Sequence, residues 1–144
     1  MFFLWLPKVC QKGTFARRKV QFAEISHLVA TAWAQIRDKK NKEVDWVILG
    51  YDGNSKTDIT VLTKGNGGMQ ACSASLPEND PCFGGLQLST ERFVGFFHAP
   101  YTCPAMKKGR ASMHKNGVLN VLEGRDGEFE MTPGMAEKDI AKIF

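Results

Sequence analysis

The stretch that most constrains this chain is VDWVILGYDG, Val44–Gly53. From Trp46 to Tyr51 it is an unbroken apolar run of β-branched and aromatic residues, the pattern of a strand buried on both faces. Asp52-Gly53-Asn54 ends it, because Gly and Asn tolerate the positive φ that a tight hairpin turn needs. This is the core strand of a small α/β domain, and by itself it names no function.

The flanking pattern supplies the other elements. Val20–Asn41 reads as a helix, with Phe22, Ile25, Val29, Trp33 and Ile36 recurring at three- and four-residue spacing. Arg37, Lys39 and Lys40 then fall in its last turn, where cations suit the negative end of the dipole. Lys56–Lys64 is a second strand, joined to the first as an antiparallel hairpin across Asp52–Ser55. Gly65-Asn66-Gly67-Gly68 leads into a short helix. Pro81–Ser89 is a third strand, weakened by Gly84-Gly85, and Arg92–Ala99 a fourth, too apolar at Phe93, Val94, Phe96 and Phe97 to lie at an edge. Pro104 suits the first turn of a long helix. On it, Lys107, Lys108 and Lys115 fall within about a quarter turn of one another at 3.6 residues per turn, with Arg110 to one side and Met106 and Met113 opposite. Asn116-Gly117 predicts a kink or a frayed turn in this helix. Gly127–Thr132 is a fifth strand, and Met135–Phe144 a terminal helix with Ile140 and Ile143 inward. The order predicts one α+β domain, a central mixed sheet of about five strands flanked by helices.

Charge and cysteines exclude several classes. The chain has 144 residues, enough for one domain, and a formal net charge of +4. Of its 19 basic and 15 acidic residues, Lys8, Lys12, Arg17, Arg18 and Lys19 lie in the first 20 positions with no acid. The remainder therefore carries 14 basic and 15 acidic residues, a net of −1. Residues 1–19 read as a basic, disordered N-terminal extension ahead of a domain over 20–144. A folded body without a basic excess argues against nucleic-acid binding. The apolar FFLWLP is too short to span a bilayer and lacks the features of a secretory signal, so no membrane insertion is expected. Cys10, Cys72, Cys82 and Cys103 form no CxxC and no zinc spacing with a histidine. They read as buried or idle thiols of a cytoplasmic protein. No metal and no cofactor is expected.

Catalytic patterns are equally scarce. The three histidines stand beside no nucleophile motif, and Ser89, Ser112 and Cys103 lack any elbow or signature. Gly65–Gly68 fails the GxGxxG pattern at Gln70 and is followed by no Gly-Lys-Ser/Thr. A small phosphate-handling enzyme using this loop and the basic helix is the alternative from the enzyme class. The preferred class is a non-enzymatic binding module. The basic stripe on the long helix is then either a solvated face or a docking surface for an acidic partner.

With these elements in order, AWAQIRDKK…VDWVILGYDG, Ala32 to Gly53, resembles the opening of actin-depolymerising-factor homology domains, nearest to the coactosin branch. RFVGFFHAP, the long helix with Lys107-Lys108, GEFEM and a short terminal helix follow in that family's order. The resemblance implies binding to actin, preferentially filaments, in the cytoplasmic cytoskeleton. By position it assigns Arg92 to the basic residue coactosins use on filaments. Lys107 and Lys108 match the basic start of the long helix, which in cofilins enters the cleft of an actin subunit, and Arg110 and Lys115 of the basic stripe join them as candidate actin-binding residues. Glu137, Lys138 and Lys142 match the second, filament-specific surface. Gly109 stands where cofilins carry a methionine that packs into actin. This implies weak monomer binding and little severing, hence decoration or protection of filaments with functional antagonism to capping protein. A cofilin-like depolymerising factor is the alternative within the family.

Overall fold

The computed structural model describes residues 24–40, 43–53, 55–133 and 137–140. The extension expected over 1–19 lies outside the described residues, as do Lys142 and Ile143.

Ser26 decides how the chain enters its first helix. Its side chain accepts the Leu28 N–H at 3.2 Å, and its own N–H donates to the Ile59 carbonyl at 2.8 Å. That cap starts α1 at His27, and the helix runs His27–Arg37 with Val29, Ala32, Trp33 and Ile36 buried. The expected start at Val20 is therefore corrected. Ahead of the cap, Glu24–Ile25 forms a two-residue strand, β1, paired in parallel with Asp58–Ile59. The expected end is corrected too. Asp38 is the C-cap, its N–H bonded to the Gln35 carbonyl, so Lys39 and Lys40 lie beyond the last turn.

The organising run forms β2, Trp46–Tyr51, and β3 follows as Asp58–Gly65. Tyr51 pairs with Ile59 and Trp46 with Gly65, an antiparallel hairpin with one irregularity between Ile48 and Leu49. A short helix α2, Gly68–Ala74, leads to β4, Cys82–Gln87, and then to β5, Phe93–His98. The long helix α3 spans Ala105–Leu119, and β6 is Gly127–Glu130. A single 3-10 turn follows at Glu137–Asp139, within the span expected as a terminal helix. Among the described residues these strands form a mixed sheet in the order β1-β3-β2-β4-β5-β6, with β1 and β6 parallel to their neighbours and the inner pairs antiparallel.

Alternation along the strands sorts the core into two layers. Val47, Leu49, Phe83 and Phe97 face α1 and α3, joining Val29, Trp33, Ala111, Val118 and Leu119. Trp46, Ile48, Leu86, Val94 and Phe96 face the other way, onto Met69 and Cys72 of α2 and onto Ile140 beside the 3-10 turn. β2 is thus buried on both faces, as its composition required. The Gly84-Gly85 pair, which weakened β4 on propensity, belongs to a central strand. A Cβ on Gly84 would collide with the Phe96 ring and the Val47 carbonyl, and one on Gly85 with the Trp33 ring. Both glycines are there because an aromatic ring lies against the strand on each side.

The long helix differs from expectation in two respects. It continues through Asn116-Gly117 to Leu119, with Val118 and Leu119 fully buried. Its buried face is Ala111, His114 and Val118, whereas Met106 and Met113 are 79% and 58% exposed. No helix among the described residues is long and apolar enough to cross a membrane.

Candidate functional site

The sequence-derived site residues sit at two ends of the sheet. β5 carries Arg92 just before its first residue and leads toward α3 after its last. Its six residues put about 20 Å between the two, at about 3.3 Å per residue.

At one end, the first turns of α3 lean on the segment that enters β4. Lys107 Nζ pairs with Asp80 Oδ1 at 2.9 Å, with both side chains more than half exposed, so the pair contributes no more than about 1 kcal/mol. Thr102 Oγ1 donates to the Glu78 carbonyl at 2.9 Å, fastening the preceding loop to the same segment. Lys107 and Arg110 line a hollow of about 320 Å³ with Tyr51, Leu62 and Pro81. Tyr51 OH lies 2.7 Å from His114 Nδ1, joining the end of β2 to the buried face of α3. Burial pushes the Tyr51 phenol up to about 12, and the nearby Arg110 charge partly offsets this. Lys115 is half-buried, its ammonium 5.9 Å from the centre of the Phe97 ring. Lys108 is exposed. The quarter-turn grouping of Lys107, Lys108 and Lys115 is therefore divided by what each side chain reaches. Gly109 meets nothing where its Cβ would be, so the surface between Met106 and Met113 is open.

At the other end, β4 and β5 are joined by the turn Leu88–Arg92. Glu91 N–H donates to the Leu88 carbonyl at 2.9 Å, and Leu88 N–H to the Arg92 carbonyl at 2.8 Å. Glu91 holds a φ of 66°, the left-handed conformation that a side chain disfavours. Arg92 is exposed at the end of this turn. The 3-10 turn lies against it: Glu137 Oε1 accepts the Ser89 N–H at 2.8 Å and Oε2 accepts the Ser89 hydroxyl at 2.6 Å. Lys138 is exposed beside it. The structure thus sets the 3-10 turn that carries Glu137 and Lys138 against the β4–β5 turn that ends at Arg92, and separately puts Lys107 and Arg110 on one hollow, while Lys142 lies outside the described residues.

Reading the sequence alone missed Asp80 and Ser89, the partners of Lys107 and Glu137. Ser89 and Glu137 are 48 positions apart, and no local pattern links them.

The remaining sequence candidates serve the fold. The glycine-rich loop opens a helix of only seven residues, with Gly67 and Gly68 at φ 102° and 77°. The Asn66 carbonyl within it accepts the Trp46 indole N–H at 2.9 Å. Cys72 and Cys82 are fully buried, and burial pushes the Cys82 thiol up to about 12 and Cys72 upward as well. Such thiols stay protonated and unreactive. Among the described residues no three His, Cys, Asp or Glu side chains converge as a metal site.

The comparisons with known proteins agree with this architecture. Residues 22–137 match the family model described as cofilin/tropomyosin-type actin-binding protein. None of the curated proteins matches the sequence significantly. Among solved structures, coactosin from Entamoeba histolytica superposes with a TM-score of 0.72 at 27% identity, over 85% of this chain and 94% of that one. Cofilin from Streptomyces griseoflavus reaches 0.71 at 16% identity, over 83% and 95%. Human coactosin-like protein reaches 0.68 at 18%, over 84% and 87%, and at these lower identities the likeness is one of fold. With most of the chain matched and coactosin among its structural neighbours, the protein belongs to the cofilin/ADF family of actin-binding proteins.

Proposed function

We propose that this chain is a non-enzymatic, cytoplasmic regulator that binds along actin filaments and protects them, with weak monomer binding and little severing. The observation that carries the proposal is the end of the sheet where Arg92 and Lys138 stand exposed while Glu137, next to Lys138 in the chain, is turned onto Ser89. Arg92 and Lys138 are then two exposed cations offered to an acidic filament surface, with Glu91 beside Arg92 weakening the field they make. The long helix offers a second contact through Lys108, Lys107 and Arg110. Gly109 gives no side chain to fill a cleft, which favours filament decoration over tight capture of monomers. Residues 20–144 form the binding module in this reading. Antagonism to capping protein follows from occupancy of the filament.

Co-sedimentation with filaments at two salt concentrations tests the proposal. Binding should weaken as salt rises, and Arg92→Ala should lower affinity about fivefold, about 1 kcal/mol, with the fold intact. If Lys107→Ala with Lys108→Ala abolishes pelleting and Arg92→Ala leaves it unchanged, the long helix is the main contact and the cofilin-like alternative replaces this reading.

A further inference from the structure

Family resemblance would place Glu137 on the partner. The geometry points to a different role, and we propose that Glu137 is a positioning residue. On this account it fastens the β4–β5 turn to the C-terminal segment through Ser89, and affects filament binding only by setting where Arg92 stands. The inference rests on the reading that this end of the sheet meets the filament.

Both oxygens of the Glu137 carboxylate are engaged by one residue, the backbone N–H of Ser89 at 2.8 Å and its hydroxyl at 2.6 Å. These are short, charge-assisted bonds, stronger than neutral ones and directional at two points. A carboxylate committed in this way keeps its charge and further lone pairs, but its orientation is fixed toward the turn. Its backbone is anchored as well. Ile140 is 1% exposed in the core layer with Phe96 and Met131, and its N–H donates to the Glu137 carbonyl at 3.1 Å.

The other side of the clamp is a turn in need of support. Glu91 adopts φ 66°, a conformation that non-glycine residues hold only when surroundings impose it. Ser89 begins the segment 89–91 that closes between the two Leu88–Arg92 and Leu88–Glu91 hydrogen bonds. A physical chain therefore runs from the buried Ile140 through the 3-10 turn and the Glu137 carboxylate to Ser89, and from there to Arg92. Without the clamp, Ser89 loses the bonds that fix the turn from outside, and Arg92 samples more positions. The filament must then order it on binding, which costs affinity.

The test compares Ser89→Ala, Glu137→Ala, Glu137→Gln and the double Ser89→Ala/Glu137→Ala variant in the full chain, by filament co-sedimentation and by hydrogen exchange at the Ser89 amide. A positioning role predicts that Ser89→Ala and Glu137→Ala each weaken binding by about three- to tenfold, and that the double variant is no weaker than the worse single one. Glu137→Gln should keep affinity within about twofold of the unsubstituted chain, because its amide oxygen still accepts the Ser89 N–H. The Ser89 amide should exchange faster in Glu137→Ala and stay slow in Glu137→Gln. Normal binding by Ser89→Ala together with equal losses in Glu137→Ala and Glu137→Gln would mean that Glu137 meets the filament by its own charge, and would overturn the inference. Unchanged Ser89 exchange in Glu137→Ala would overturn it as well. If the unsubstituted chain does not pellet with filaments, the proposed function fails, while the exchange measurement still decides whether the clamp exists.

Discussion

The two ends of the sheet hold their cations differently. At the α3 end, Lys107 is paired with Asp80, Lys115 lies over Phe97, and Arg110 borders the hollow beside Tyr51. At the hairpin end, Arg92 and Lys138 are exposed, and the neighbouring carboxylate of Glu137 is taken up by Ser89. Formal charge is therefore a poor guide to docking strength. A lysine that already has a partner must trade one ion pair for another, which is close to neutral in free energy, whereas Arg92, with no ion-pair partner among the described residues, gains one. The longer basic helix offers more charges, most of them engaged with the fold and Lys108 exposed, and the hairpin end offers two, Arg92 and Lys138, both exposed.

The largest expected effect would remove the difference between the ends by damaging the frame they share. Gly84→Ala sets a methyl group into the Phe96 ring and the Val47 carbonyl in a central strand. The expected loss is about 3 kcal/mol or more, seen as a lower denaturation midpoint, with binding at both ends falling together. A variant of normal stability would show that β4 can yield there, and that the two ends are not locked to one frame.

A second change isolates the α3 end. Tyr51→Phe deletes the bond to His114 and should cost about 1 kcal/mol in chemical denaturation, leaving Arg92-dependent binding unaltered. It also carries a pH signature. An unfolded tyrosine ionises near pH 10, and burial holds the Tyr51 proton until about pH 12. Its contribution to stability is thus complete below pH 10 and is lost as pH rises through about 12. Stability of the Tyr51→Phe variant should fall less steeply over that interval, and parallel curves would remove Tyr51 from the alkaline transition.

The smallest effect belongs to the hairpin end. Glu91→Gly relieves the positive φ and removes the acid next to Arg92. A gain of about 0.5 kcal/mol in stability is expected, net of the entropy that glycine adds to the unfolded chain, with filament affinity rising about twofold. Weaker binding would show that Glu91 itself meets the partner.

Elements with strong local patterns are legible in the residues themselves. Trp46–Tyr51, the aromatic strand Phe93–His98 and the turn after Tyr51 carry their own hydrophobic period and turn chemistry, so they lie where the sequence puts them. The start of α1 is harder to read, because Phe22 and Ile25 keep the helical spacing. The cap at Ser26 and the parallel pairing with Asp58–Ile59 outweigh that spacing. The buried face of α3 is obscured for a similar reason. Hydrophobicity favours Met106 and Met113, yet the helix turns Ala111, a small residue, and His114, a hydrogen-bonded one, onto the sheet.

The sequence by itself determined the succession of core strands and helices, the layered α+β architecture and membership of an actin-binding family, because these depend on periodicity and on blocks such as Ala32–Gly53 that are local in the chain. Only the tertiary structure decided which of the named charges are available. Asp80 reaches Lys107 across 27 positions and Glu137 reaches Ser89 across 48. Pairings of that range are made by the packing of the sheet and the seating of Ile140, and no spacing along the chain encodes them.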